Sequence, residues 1–327
     1  MMPDLASAAT FVRMDANAAA FLEGPAAPIL LLPLLLGFTV GASAEPTPDV
    51  NGLIVIETDF GTKDGAVAAM KGVALGVNRD LQLYDLTQEI KPFDIWQGAY
   101  ELSITLPYWP AGTVFVTVID PGVGTERGAV VTKLKSGHFV VGPDNGLLTL
   151  VAENQGVAEV RRIDEKKHRL PGSEKSFTFH GRDIFAYTAA KLASGQISFE
   201  EVGPVLKGDV VRLDYMKPML ADNVITAMIP SLDRNFGNVW TNIDRKTFEQ
   251  LGIAKGSLVG VTILHGGEQI WNGQLPYVDT FGDVGQGEPL LYLNSEDDVS
   301  FAINYGDFAA AHGVSAGPDW RVMVSAP

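Results

Sequence analysis

The 327 residues contain no cysteine, which excludes disulfides, thiolate metal sites and a cysteine nucleophile. Basic residues are scarce: 24 Lys plus Arg stand against 39 Asp plus Glu, a formal charge of −15. That balance argues against a nucleic-acid partner, which asks for a basic patch on the phosphate backbone. The five histidines never fall in His-x-x-x-His spacing, so a histidine metal site lacks support. Neither G-x-G-x-x-G nor a Walker A loop occurs, which removes the usual dinucleotide and P-loop readings. What is present is 46% hydrophobic and 19% charged, a chain long enough for one large or two medium domains.

Only one apolar run stands out. Ile29–Val40 reads ILLLPLLLGFTV and is followed by Ala42-Ser43-Ala44, the small-x-small shape of a signal-peptidase site. Twelve residues interrupted by Pro33 are too few for a membrane span of about 20, so no stable membrane span is expected. Residues 1–44 therefore read as a signal peptide or, alternatively, a disordered Ala/Pro-rich extension. The n-region offers only Arg13 against Asp4, Asp15 and Glu23. With cleavage the protein is exported, periplasmic or extracellular, and its charge becomes −13; without it the protein is cytoplasmic.

Leu53–Thr58 is a short apolar run bounded by Gly52 and by Asp59-Phe60-Gly61, which predicts a buried strand. Helical spacing over 64–75, a strand over 81–86, a helix over 94–106 and a strand over 113–119 follow. Further strands are expected at 130–134 and 138–141, and helices over 146–153 and 183–194. The alternation predicts an α/β layered N-terminal domain over 45–210, with ligands at the strand ends. From 211 to 327 short strands at Gly-containing turns, at 225–229, 257–264, 290–293 and 322–324, predict a smaller β-rich, barrel-like C-terminal domain.

Five segments are rich in polar residues, Gly and Pro: Thr58–Gly61, Asp120–Arg127 (DPGVGTER), Gly142–Gly146, Thr178–Asp183 (TFHGRD) and Asp233–Asn242. Alone, each has an ordinary use as a turn, or as an N-cap at Asp183. Together, in this order and wording, they resemble the S-adenosyl-L-methionine (SAM) hydroxide adenosyltransferases, relatives of the SAM-dependent fluorinase and chlorinase. The resemblance runs from about Leu53 to Met323.

It implies hydrolysis of SAM to adenosine and L-methionine, with Asp120, Arg127 and His180 holding and activating water or hydroxide. The leaving group, a neutral thioether from a sulfonium, is already good, so an oriented and desolvated nucleophile is what catalysis lacks. His180 is expected to accept a proton or hold hydroxide, Arg127 to supply positive charge, and Asp120 to orient either partner. The halogenases have Tyr and Thr at the positions of Asp120 and Val123, and Tyr-Ser at His180-Gly181. A carboxylate at Asp120 would repel a halide, so halogenation is disfavoured.

The resemblance further implies that Asp59 accepts bonds from the ribose hydroxyls and Phe93 stacks on the nucleoside. Asp233 is matched to the methionine ammonium, Asn238 to adenine, Trp240 to a flanking aromatic wall and Ser295 to the methionine carboxylate. Here the chain departs from the halogenases: Glu296 and Ile303 stand where they carry Arg. The family also implies a homotrimer with the site at the subunit interface, and neither metal nor separate cofactor. The competing reading is a SAM- or adenosine-binding protein without turnover.

Overall fold

The computed structural model describes residues 49–326; the expectations for residues 1–44 lie outside them. The chain opens with β1 (Leu53–Thr58), α1 (Ala66–Val77), β2 (Gln82–Thr87), α2 (Ile95–Thr105) and β3 (Val114–Val118). It continues through β4 (Gly128–Leu134), β5 (Phe139–Asp144), α3 (Thr149–Asn154) and β6 (Val157–Arg162). These strands form one six-stranded sheet in the order β2-β1-β3-β5-β4-β6. β2, β1, β3 and β5 run parallel, while β4 and β6 are antiparallel. Helices cover both faces, Met70 and Ala74 of α1 meeting Ile54 and Val116, and Leu102 and Val151 meeting Val55 and Phe115. A strand buried on both sides has no polar face, which is why β1 and β3 read as continuous apolar runs.

α2 begins where Asp94 accepts the Gln97 N–H at 3.0 Å, and Pro107 follows its last turn, a cap and a stop readable from residue type. The helix expected over 183–194 starts earlier. Gly181–Ala186 is one wide π-type stretch that runs into regular helix, α4 (Tyr187–Ala193). Asp183 is therefore not an N-cap. Its fully buried carboxylate is held by Arg182 at 2.6 and 3.1 Å inside the first turn.

The rest is β-rich: β7 (Met219–Ala221), β8 (Val224–Ile229), β9 (Ser231–Asp233), β10 (Asn238–Asp244) and a short α5 (Arg245–Glu249). Then come β11 (Leu258–His265), β12 (Glu268–Pro276), β13 (Pro289–Leu293), β14 (Asp298–Ile303), α6 (Phe308–His312) and β15 (Gly317–Ser325). They make a four-stranded sheet, β13-β14-β10-β9, and a five-stranded one, β12-β11-β15-β8-β7. Val239, Ile243 and Phe301 of the first pack on Ile225, Val261 and Val322 of the second. Neither sheet closes on itself, so the domain is β-rich without a closed barrel among the described residues.

The two parts meet along α2. Trp96, Tyr100 and Leu150 pack against Met228 and Trp240, and Trp96 Nε1 donates to the Pro230 carbonyl at 3.0 Å.

Candidate active site

The chain passes from β1 through α1 to β2 on one side, then returns through α2 to β3 on the other. The carboxyl ends of β1 and β3 thus flank a switch point, where open α/β sheets leave a crevice for ligands. Asp59 emerges from the first strand and Asp120 from the second.

From Asp120 to Arg127 the backbone makes two tight turns, with Val123 N–H on Asp120 O and Thr125 N–H on Gly122 O. Gly124 sits at φ 77°, and a Cβ there would lie 2.8 Å from the Phe177 carbonyl; only glycine fits both demands. The turns bring Arg127 back over Asp120. Its Nε lies 3.0 Å from both carboxylate oxygens and its Nη2 2.6 Å from Oδ2. The two side chains are 9% and 4% exposed. A buried pair of this kind needs every remaining donor satisfied, and Nη2 also donates to His180 Nδ1 at 2.9 Å. Phe185 lies beneath the guanidinium, 5.1 Å away.

Arginine only donates, so Nδ1 of His180 must accept and the proton of the neutral ring sits on Nε2. That Nε2 is buried without a hydrogen-bond partner. Burial, then the Arg127 charge, holds the imidazole pKa below its ordinary value, so the ring is neutral near pH 7. The result is a fixed Asp120–Arg127–His180 chain ending in one unused N–H.

Asp59 accepts the Phe93 N–H at 2.9 Å, and no other donor reaches its carboxylate among the described residues. Phe93 is held at φ 70° and is 72% exposed, a strained backbone for a residue with a Cβ. Phe60 and Phe179 meet edge to face at 5.8 Å, and Arg182 covers the Phe179 ring at 4.8 Å.

Asp233 and Asn238 stand opposite each other on β9 and β10, joined by a 3.3 Å bond. Both line a cavity of about 810 Å³ with Phe236, Phe281 and Tyr305, a size suited to a small molecule. Gly237, at φ 68°, shapes one wall, since a Cβ would fall 1.8 Å from the Asp307 carboxylate. Trp240 points to the same side of β10 but packs with Trp96 and Tyr100, and it does not line this cavity. Ser295 is exposed in the β13–β14 turn, 3.5 Å from Glu296 Oε1.

Seven of the nine sequence-predicted residues therefore form two groups, and Trp240 and Ser295 lie outside both. Asp120, Arg127 and His180 are in contact, with the Asp59–Phe93 pair at the neighbouring strand end; Asp233 and Asn238 form the second group. A link between the loops is Arg234, which donates to the Glu89 carbonyl at 3.0 Å. Phe281 and Tyr305 were missed by the sequence reading, although each is an aromatic residue flanked by glycine in Thr280-Phe281-Gly282 and Asn304-Tyr305-Gly306. Among the described residues no group of three His, Asp or Glu side chains has a metal-binding arrangement, and no helix is long and apolar enough to cross a membrane.

Comparison with known proteins gives the same two parts. The model of the SAM hydroxide adenosyltransferase N-terminal domain matches residues 54–203, and that of the C-terminal domain residues 227–321. The (R)-S-adenosyl-L-methionine hydrolase of Methanocaldococcus jannaschii is 41% identical over 208 residues, covering 62% of this chain and 71% of that protein. A fluorinase of an Actinoplanes species is 32% identical over 292 residues, covering 82% and 96%. A crystal structure of an uncharacterized conserved protein from Thermotoga maritima superposes with a TM-score of 0.75 at 34% identity, covering 83% of this chain and 99% of that one. With both domain models matched and relatives aligned along most of its length, the chain belongs to the SAM hydroxide adenosyltransferase family.

Proposed function

We propose that the protein hydrolyses SAM to adenosine and L-methionine by attack of water-derived hydroxide on ribose C5′. The observation that carries this reading is the unpartnered His180 Nε2, held in place through Arg127 by Asp120. A neutral imidazole whose Nδ1 is occupied presents a donor to the nucleophile's lone pair and holds it in one place. Proton abstraction by Nε2 would require the other tautomer, with an N–H facing the Arg127 N–H. His180 is thus read as the group that holds hydroxide, not as its base. The adjacent guanidinium lowers the cost of that negative charge in a site where little water competes. The C–S electron pair leaves on sulfur as a neutral thioether, and the water's proton is released to solvent. No redox step occurs, so the scheme uses no cofactor.

Asp59 is assigned to the ribose hydroxyls, and Phe93, Asn238 and Asp233 to the nucleoside and amino-acid ends of the substrate. The cavity holding Asp233 and Asn238 does not include the hydroxide-holding residues, and Phe236 and Tyr305 at its wall are 65% and 89% exposed. Both features support a site completed between copies, in a homotrimer.

Purified protein incubated with SAM should release adenosine and methionine in equal amounts. The same incubation with chloride or fluoride should give no 5′-halo-5′-deoxyadenosine. Tight binding of SAM or adenosine with no product above the enzyme-free control would replace the hydrolase reading with a binding protein.

A further inference from the structure

The cavity of about 810 Å³ carries a second carboxylate to which the hydrolase reading gives no role. Asp307 lines it together with Asp233 and Asn238. Its Oδ1 accepts the Ala310 N–H at 2.7 Å and so caps α6. Its Oδ2 has no hydrogen-bond partner, and the carboxylate makes no ion pair, among the described residues. The group is held in place. The Gly237 α-carbon stands against it, so close that any Cβ there would overlap Oδ1 and Cγ. The Ala309 N–H donates to the Gly237 carbonyl at 2.9 Å, and the Gly237 N–H donates to the Asp233 carbonyl at 2.7 Å. These bonds tie α6 to the turn between β9 and β10.

Asn238, the next residue after Gly237, is 5% exposed. Its Nδ2 donates to Asp233 Oδ2 at 3.3 Å. A carboxylate only accepts, so the amide cannot turn over, and its Oδ1 is left as an acceptor without a donor among the described residues. Two acceptors, Asn238 Oδ1 and Asp307 Oδ2, thus remain unused at a cavity walled by Phe236, Phe281 and Tyr305. Tyr305 is held at φ 57° and is 89% exposed, backbone strain of the kind found at ligand clamps. Aromatic walls take any planar base, because every base has a π-face, so the choice among purines falls to the polar edge. An exocyclic amine has two hydrogens and meets both acceptors. A 6-oxo purine can give its ring N1–H to one of them, but it then sets its carbonyl oxygen against the other.

We propose that Asp307, together with Asn238, reads the 6-amino group of the substrate's purine, so that this chain selects 6-aminopurine sulfonium nucleosides over their 6-oxo counterparts. Asp307 is a specificity-determining residue, and its cap on α6 is what aims Oδ2. The inference rests on the reading above, in which this cavity takes the nucleoside. It also accounts for Gly237, where a φ of 68° and the lack of a Cβ let the carboxylate lie beside Asn238.

The test compares SAM with its 6-oxo analogue, in which hypoxanthine replaces adenine, by kcat/KM of the full chain and of Asp307→Asn and Asp307→Ser. Both replacements are good helix caps. The unaltered protein should favour SAM by roughly 10–100-fold. In Asp307→Asn, with Oδ1 still on the Ala310 N–H, an amide N–H takes the place of Oδ2 and can face a 6-oxo group. That variant should narrow the preference about tenfold, mainly through KM, with unchanged thermal unfolding. Asp307→Ser removes the second oxygen and should raise KM for SAM about tenfold. Dissociation constants of adenosine and inosine for the same three proteins read the same selectivity without turnover. Equal use of the two nucleosides by the unaltered chain would overturn the inference and leave the hydrolase reading standing. So would variants that weaken both nucleosides alike, as a carboxylate on the ribose would. Absence of turnover, with an adenosine-to-inosine ratio that Asp307→Asn shifts, would remove the hydrolase reading and leave the selectivity.

Discussion

Arg127 donates to His180 Nδ1 at 2.9 Å while gripping Asp120 at 2.6 Å through the same Nη2. One guanidinium nitrogen thereby sets the tautomer of the histidine. The carboxylate fixes the arginine, the arginine fixes the ring, and the ring offers its only remaining polar atom, Nε2, to whatever enters.

A pH dependence follows with a definite sign. Protonation of His180 would place an N–H on Nδ1 against the Arg127 N–H, so the neutral ring is the working form. Burial and the Arg127 charge lower its pKa from 6.5. Above pH 6.5 any fall in log kcat/KM should therefore reflect loss of the hydroxide alone, and the slope should steepen only at lower pH, as His180 gains its proton. His180→Ala should reduce kcat by ~10²–10⁴-fold with KM changed little. A profile whose slope already steepens above pH 7, or equal losses in kcat and binding on His180→Ala, would contradict the assigned role.

Arg127→Lys tests the fork. A lysine ammonium is a point charge and cannot hold both Asp120 oxygens and His180 Nδ1 in one plane. We expect kcat to drop ~100-fold or more despite the conserved charge. Arg127→Ala leaves the Asp120 carboxylate, whose side chain is 4% exposed, without its partner, and should cost about 3–5 kcal/mol in denaturant unfolding. A lysine variant with near-native kcat would show that charge alone, not geometry, is needed.

Much of this half-site is legible in the amino-acid sequence, because its residues come from short segments next to predicted strands. Asp59 follows β1 and Asp120 follows β3, and both strands announce themselves as apolar runs flanked by Gly or Pro. The C-terminal part is harder. β10 (Asn238–Asp244) turns Val239, Thr241 and Ile243 to one side and Asn238, Trp240, Asn242 and Asp244 to the other, but its position inside a polar cluster hid that period of two. β12 is largely exposed, with Leu275 its only fully buried residue, so it lacks a hydrophobic signature. The helix start at Gly181 escaped because a π-type stretch breaks the usual 3.6 spacing. Tyr100 packs with Met228 and Trp240, residues more than 120 positions away, and no local pattern encodes such a meeting.

Glu57 gives a stability test independent of catalysis. It is 1% exposed on β1, accepts the Thr117 hydroxyl at 2.5 Å through Oε2, and leaves Oε1 without a partner. Burial raises its pKa well above 4.5, the Thr117 bond opposes this, and Glu101 adds to it. The folded chain thus keeps a proton that the unfolded chain releases near its ordinary pKa. Stability from this group is present at low pH and is lost as pH rises from about 4.3 toward the folded value, at up to ~1.4 kcal/mol per pH unit. Glu57→Gln removes the titration, so its Tm relative to the unaltered protein should improve steadily from pH 5 to pH 8. A constant Tm difference over that range would mean that Glu57 is ionised in the fold.

The division of the site between Asp120–Arg127–His180 and the Asp233–Asn238 cavity can be tested by complementation. His180→Ala damages the first half and Asp233→Ala the second, and each variant alone should be nearly inactive. If every site combines the first half of one chain with the second half of another, a mixed assembly contains some sites with both halves intact. For equal amounts and random assembly, each junction has a one-half chance of an intact first half and an independent one-half chance of an intact second half. Co-expressed variants should then regain about a quarter of native activity, as heterologous contacts in a closed ring require. A site confined to single chains predicts no recovery at all, because every chain carries one lesion. Mixing the two variants without subunit exchange supplies the control, and it should stay inactive in both cases.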